Sequence, residues 1–110
     1  MKYQHKELAA GRWSQLAFLE QMANVSSEVE RALNWRTKHH SAFSQRAFER
    51  ALELIDLTLA DTESPARLRE LARLREAMAD YFAGNNHYAS SEASWRRYFL
   101  PFTSAVRRKH

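Results

Sequence analysis

With 110 residues, 45% of them hydrophobic, and a net charge of +4, the chain has the size of one domain and enough apolar mass to fill a core. It has no cysteine, which excludes disulfides, thiolate catalysis and cysteine-ligated zinc. No apolar run approaches the ~20 residues a membrane span requires, and the opening MKYQHKELAAGRW lacks the apolar segment of a secretion signal.

Only two Gly and two Pro occur, and no alternating apolar pattern is present, so the chain reads as helical throughout. Residues 1–12 are expected to be a flexible or loosely packed lead into a single domain over 1–110. The first helix is expected from about Ser14, as a cap, to about Lys38, with Leu19, Met22, Ser26, Val29 and Leu33 on its core stripe. The second, about Ala42 to Ala60, is apolar over more than half its circumference, and only Gln45, Glu49, Glu53 and Asp56 form a polar strip. Such a helix lies either deep in a bundle or against another subunit; the short chain favours the subunit. Leu54, Leu57, Phe43 and Trp35 are then the expected oligomer interface.

Ser64 and Pro65 mark the start of the third helix, and Gly84 its end. Its expected core stripe is Leu68, Leu71, Ala72, Met78, Ala79 and Phe82. The stretch ADYFAGNNHYASS, which collects an acid, a histidine and two amides, reads as one helix stopping and the next restarting, with Tyr88 anchoring the connector. The fourth helix starts near Ser90 or Ser91, presents Trp95, Tyr98, Phe99, Phe102 and Val106 on one stripe, and should kink near Pro101. Short linkers make successive helices antiparallel, so the expected fold is an all-α, up-down-up-down four-helix bundle.

Catalytic chemistry finds little support in the pattern. A di-metal bundle needs Glu-x-x-His, but Glu30, Glu53 and Glu92 are followed three residues later by Leu33, Asp56 and Trp95. His39 and His40 are adjacent and do not chelate as an i, i+4 pair would; they suit a helix C-terminus instead. A helical ribonuclease would carry Arg and His with four to six residues between them, whereas only two or three separate Arg36 from His39 and His40, and far more separate Arg75 from His87. Neither a Ser-His-Asp arrangement nor a Gly-rich phosphate loop is present. The expectation is a non-enzymatic protein with no cofactor and no metal.

Two charged features stand out. Arg75 falls within the third helix's apolar stripe, and since Arg keeps its charge it calls for a carboxylate in a buried or interfacial ion pair, from Glu30, Glu53 or Asp56. On the fourth helix Arg96 and Arg107 share one ridge, Arg97 and Arg108 the next, with Lys109 beyond, since eleven residues span about three turns. That ridge is a candidate phosphate track for RNA, DNA or a nucleoprotein; its structural alternative is a solvated helix face.

Three segments, WSQLAFLEQMANVSSEVERALNW, RAFERALELIDLTLAD and RLRELARLREAMADYFAGNNHY, resemble a family of small prokaryotic proteins, with that of xanthomonads the nearest likeness. Trp13, Glu28, Asp56, Thr58, Arg75, Asp80, Gly84 and Tyr88 are among the residues that carry it. More distantly the chain is similar to the four-helix-bundle group of ribosomal-RNA intervening-sequence proteins and the accessory variability determinant of diversity-generating retroelements. The resemblance implies a cytoplasmic bundle assembled as a homopentamer, and basic members of the wider group are associated with nucleic acid and a reverse transcriptase. It brings no catalytic residues. The leading expectation is therefore an oligomeric scaffold that binds nucleic acid through arginines. The alternatives are a protein-interaction module, toxin-antitoxin-like or stress-linked, and, less favoured, a helical ribonuclease.

Overall fold

Trp13 organises the entry to the first helix. Its indole Nε1–H donates to Thr58 Oγ1 at 3.0 Å, and its carbonyl accepts from Gln21 Nε2 at 3.0 Å, so the chain at Trp13–Gln15 is held in a short 3-10 turn. Leu16 is extended, and the helix is capped at Ala17, three residues later than the capping pattern at Ser14 predicts. Ser14 instead donates its hydroxyl to Gly11 O, while Glu20 Oε1 accepts the Ala17 N–H at the true start. The computed structural model describes residues 11–107, with side chains through 105. The expected loose segment 1–12 therefore lies outside the described residues except for Gly11 and Arg12, both exposed.

Four helices follow: α1 (Phe18–Thr37), α2 (Ser41–Asp61), α3 (Pro65–Ala83) and α4 (Glu92–Arg107). No strand occurs among the described residues, and no helix among them is long and apolar enough to cross a membrane. Connections at 38–40 and 62–64 are short, as a bundle of successive neighbours requires. α2 packs against α1, α3 and the Trp13 turn, and α1 also packs against α4. α3 and α4 approach each other far less closely than α1 and α2 do, which leaves the bundle open along that seam.

The core comes from Met22, Val25, Val29 and Leu33 of α1, Phe48, Leu54 and Ile55 of α2, Leu71, Leu74 and Met78 of α3, and Trp95 and Phe99 of α4. Small residues set the α1–α2 distance. Ala32, Ala47 and Ala51 are buried there, and Ser44 Oγ donates to Ala32 O at 2.8 Å across the two helices. Burying a branched side chain of this kind stabilises by roughly 1.5–3 kcal/mol, so the stripe dominates the fold energy.

Several expectations are corrected here. The α1 stripe is wider than expected: Met22, Ser26, Val29 and Leu33 are buried as expected, Val25 and Ala32 join them, and only Leu19 is exposed. In α3, Leu74 takes the core position given to Ala72, which is exposed. Glu53 is buried rather than part of a solvated strip. Leu54 is only 2% exposed and sits in this chain's own core, so it is not available to a subunit surface. The breadth of the α2 apolar face is explained by its position between α1 and α3. Pro101 lies inside α4, as expected, and the Thr103 hydroxyl donates to Phe99 O and Leu100 O, the carbonyls of the preceding turn.

α3 starts as its sequence indicates, with Ser64 Oγ accepting the Arg67 N–H and Pro65 at the first helical position. Gly84 ends it, though not through a positive φ: its φ is −114°, and a Cβ there would lie 3.0 Å from Asp80 O. The connector to α4 is organised by Asp80, whose carboxylate accepts the His87 and Tyr88 N–H groups at 2.7 and 3.0 Å. Asn86, at φ 55°, uses its amide to bind both Ser90 N and Ser90 O. The Tyr88 ring is exposed, but its side chain hydrogen-bonds Glu76 of α3, which ties the connector to that helix and raises the phenol pKa.

Candidate nucleic-acid interface

Between Glu30 and Glu49 the sequence contains no acid, yet it carries Arg31, Arg36, Lys38, Arg46, His39 and His40. The fold bends this stretch into the corner where α1 ends and α2 begins. The turn forces His39 to φ 62°, a left-handed conformation that His tolerates better than most residues. His40 N bonds back to Trp35 O at 2.9 Å, closing the corner.

Three rings meet there. Trp35 and Phe43 lie 4.8 Å apart with planes tilted by 34°, and His40 stands edge-on to both. A cation covers each large ring: Lys38 Nζ is 5.5 Å from the Trp35 centroid, and the Arg46 guanidinium is 4.7 Å from that of Phe43. Phe43 is 45% exposed, an unusual position for a large apolar ring in a folded domain. Arg36, on the flank, donates to Tyr81 O at 3.0 Å and stacks over the Tyr81 ring at 4.4 Å. Beside it a depression of about 300 Å³ is lined by Arg36, His39, Ser44, Gln45 and Phe82. The nearest acid along α2, Glu49, accepts from Gln45. The corner thus combines exposed π surface with positive charge and little competing carboxylate.

The α4 ridge looks different. Arg96 is held by Glu30 on α1, with Nε 3.1 Å from both carboxylate oxygens, by Glu92 one turn earlier on α4, and by Asn34. Two carboxylates neutralise it, so it offers little to a phosphate. Arg97 is exposed, with no hydrogen bond or ion pair among the described residues. Arg107 closes α4, with its side chain outside the described set, and Arg108 and Lys109 lie outside the described residues.

Arg75 pairs with Asp56, the α2 member of the three acids named for it, in a two-pronged contact at 2.7 and 3.3 Å. Its side chain remains 42% exposed, so the pair is a solvated clamp between α2 and α3 rather than a buried one. The Asp56 hydrogen bond raises the guanidinium pKa further, with burial acting against it. Glu30 serves Arg96 instead. Among the described ion pairs the most sequestered carboxylate is Glu28, its side chain 8% exposed, which accepts from Arg31 at 2.9 Å and from Arg50 of α2 at 3.1 Å. In the sequence Glu28 looks like half of an ordinary surface i, i+3 pair, and nothing local reveals Arg50.

Of the expected subunit-contact residues, Leu54 is internal, Trp35 and Leu57 are half-buried, and Phe43 is exposed. The structure thus joins Trp35 and Phe43 to the basic corner. Sequence reasoning overlooks this site, although the acid-free run from 31 to 48 is a visible signal. Among the described residues no group of three or more His, Asp or Glu side chains could hold a metal ion. Comparison with protein-family models, with curated proteins and with solved structures finds no match to this chain.

Proposed function

We propose that the chain is a binding protein, not an enzyme, and that it takes single-stranded nucleic acid on the α1–α2 corner. The observation that carries this reading is the contiguous series Lys38, Trp35, Phe43 and Arg46, in which exposed π surface alternates with cations on an acid-free stretch. Bases stack on aromatic rings and guanidinium planes whatever their sequence, while cations attract the backbone. Arg97 supports a second phosphate contact on α4, as part of the arginine surface read from the sequence. The likeness to bundle proteins associated with nucleic acid points the same way.

The test is fluorescence anisotropy with labelled oligo-dT and oligo-rU at low and moderate salt. Affinity should fall steeply with salt. Phe43→Ala should weaken binding by about 1–2 kcal/mol, the scale of one lost stacking contact. Lys38→Ala with Arg46→Ala should reduce the salt slope by about one to two phosphate contacts. Arg96→Ala should change little. Absence of binding at low salt, or equal binding by the corner variants, would sink the reading.

Self-association, pentameric by the resemblance, is a second reading. Leu100, 57% exposed on α4, and the half-buried Leu52, Leu57 and Leu59 of α2 support it. A native mass of one chain at micromolar concentration would rule it out. A hetero-partner docking on the same apolar positions is the competing interpretation of a monomer.

A further inference from the structure

The open seam between α3 and α4 forms a groove of about 460 Å³, within the size range of sites that hold small organic ligands. Leu74 and Ala77 of α3 and the rings of Trp95 and Tyr98 of α4 make its lining largely apolar. Two features mark it as more than a packing gap. The Trp95 indole Nε1–H is buried and has no acceptor among the described residues, although buried indole donors are ordinarily paired. Trp13 illustrates the contrast, since its indole reaches Thr58.

The second feature is charge. Arg69 and Arg73 line the groove one turn apart on α3, and neither has a hydrogen bond or ion pair among the described residues. Like charges at i, i+4 repel, and an anion bound between them would relieve that repulsion. Glu70, between them in sequence, accepts the Tyr98 hydroxyl at 3.3 Å. Burial, and then the nearby Glu70 charge, hold the Tyr98 phenol well above its ordinary range, so it stays a donor. Trp95 also borders a groove between α1 and α4, but the arginines there, Arg31 and Arg96, are already paired with Glu28 and Glu30. Free positive charge therefore singles out the α3–α4 side.

We infer that the α3–α4 groove binds a small amphipathic organic anion, an apolar chain or ring carrying one carboxylate. The carboxylate sits on Arg69 and Arg73 and accepts from the Trp95 indole N–H, and the apolar body lies against Leu74 and Ala77. This site is separate from the α1–α2 corner and does not depend on the nucleic-acid reading. A second copy of the chain is a poorer occupant, because each copy carries +4 and brings its own unpaired arginines.

The probe is decanoate, with decyltrimethylammonium as the cation of equal tail length, followed by two-dimensional 15N NMR of the full chain. The three Trp residues give three indole signals. Decanoate should shift the Trp95 indole and the backbone of residues 69–77 saturably, and the ammonium should bind at least about tenfold more weakly, since a guanidinium pair favours carboxylate. Arg69→Gln with Arg73→Gln, both at exposed positions, should weaken decanoate about tenfold while leaving the helical spectrum and melting profile unchanged. Ala77→Trp, which fills the groove, should abolish the shift without touching the arginines. Equal binding of the two probes, shifts centred on Glu30 and Arg96, or no saturable shift would overturn the assignment. So would concentration-dependent self-association that shifts the Trp95 indole signal in the absence of probe.

Discussion

The two long seams of this bundle are built on opposite plans. Between α1 and α2, Ala32, Ala47 and Ala51 are fully buried, and a serine hydroxyl reaches a carbonyl on the facing helix. Between α3 and α4, the rings of Trp95 and Tyr98 and the stems of Arg69 and Arg73 stand beside small residues such as Ala77, and a groove remains. Small residues permit close approach and rigid alignment, whereas bulky amphipathic ones hold helices apart and leave polar groups unpartnered. The difference separates two kinds of surface. The close seam ends in a fixed corner suited to an extended polymer, and the open seam offers a recess suited to a small molecule.

The largest way to break that comparison is to enlarge a residue on the close seam. Ala51→Leu should destabilise by about 3 kcal/mol in chemical denaturation, because a fully buried methyl has nowhere to grow. An effect below about 0.5 kcal/mol would mean that the seam is looser than described. Removing the ion pair that crosses the same seam comes next. Glu28→Ala leaves Arg50, itself partly exposed, without its carboxylate, and should cost about 2 kcal/mol. Arg50→Met in the same background should recover part of the loss.

On the open seam the same enlargement should be nearly silent. Ala77→Leu projects into the groove and should change stability by less than about 0.5 kcal/mol, or raise it slightly by covering Leu74. A penalty like that at Ala51 would erase the distinction between the seams. The smallest effect concerns the loop that joins α3 to α4. Asp80 titrates below the usual carboxylate range, chiefly because it accepts the Tyr88 N–H, with burial opposing and the His87 N–H and the His87 charge adding. A carboxylate whose pKa is depressed by folding contributes stability above its unfolded pKa and loses that contribution as pH falls through the folded value. The stability gap between the native chain and Asp80→Asn should therefore be flat at neutral pH and close on acidification below the ordinary carboxylate range. A gap that widens in acid would contradict this.

The sequence shows most where structure is punctuated locally. Ser64, Pro65 and Gly84 bracket α3 correctly, and the helical class follows from the near absence of Gly, Pro and alternation. Asp56 could be named as one of three partners for Arg75, because both lie on helices that the short linker makes neighbours. What the sequence hides depends on distant residues. The start of α1 is set by Trp13 reaching Thr58, 45 residues away, so the local cap at Ser14 misleads. Glu28 becomes buried only because α2 presents Arg50 to it. The groove exists because of a helix separation that no periodicity encodes. Trp35 and Phe43 look like subunit-contact hydrophobics until the turn places them beside Lys38 and Arg46.

The most direct test of the division between the two seams is a 15N NMR titration of the chain with unlabelled oligo-dT at low salt. The account predicts shifts concentrated on residues 35–46, including the Trp35 indole, with the Trp95 indole and residues 69–77 unmoved. Shifts centred on Arg96 and Arg97, movement of the Trp95 indole, or no shift at all would contradict it.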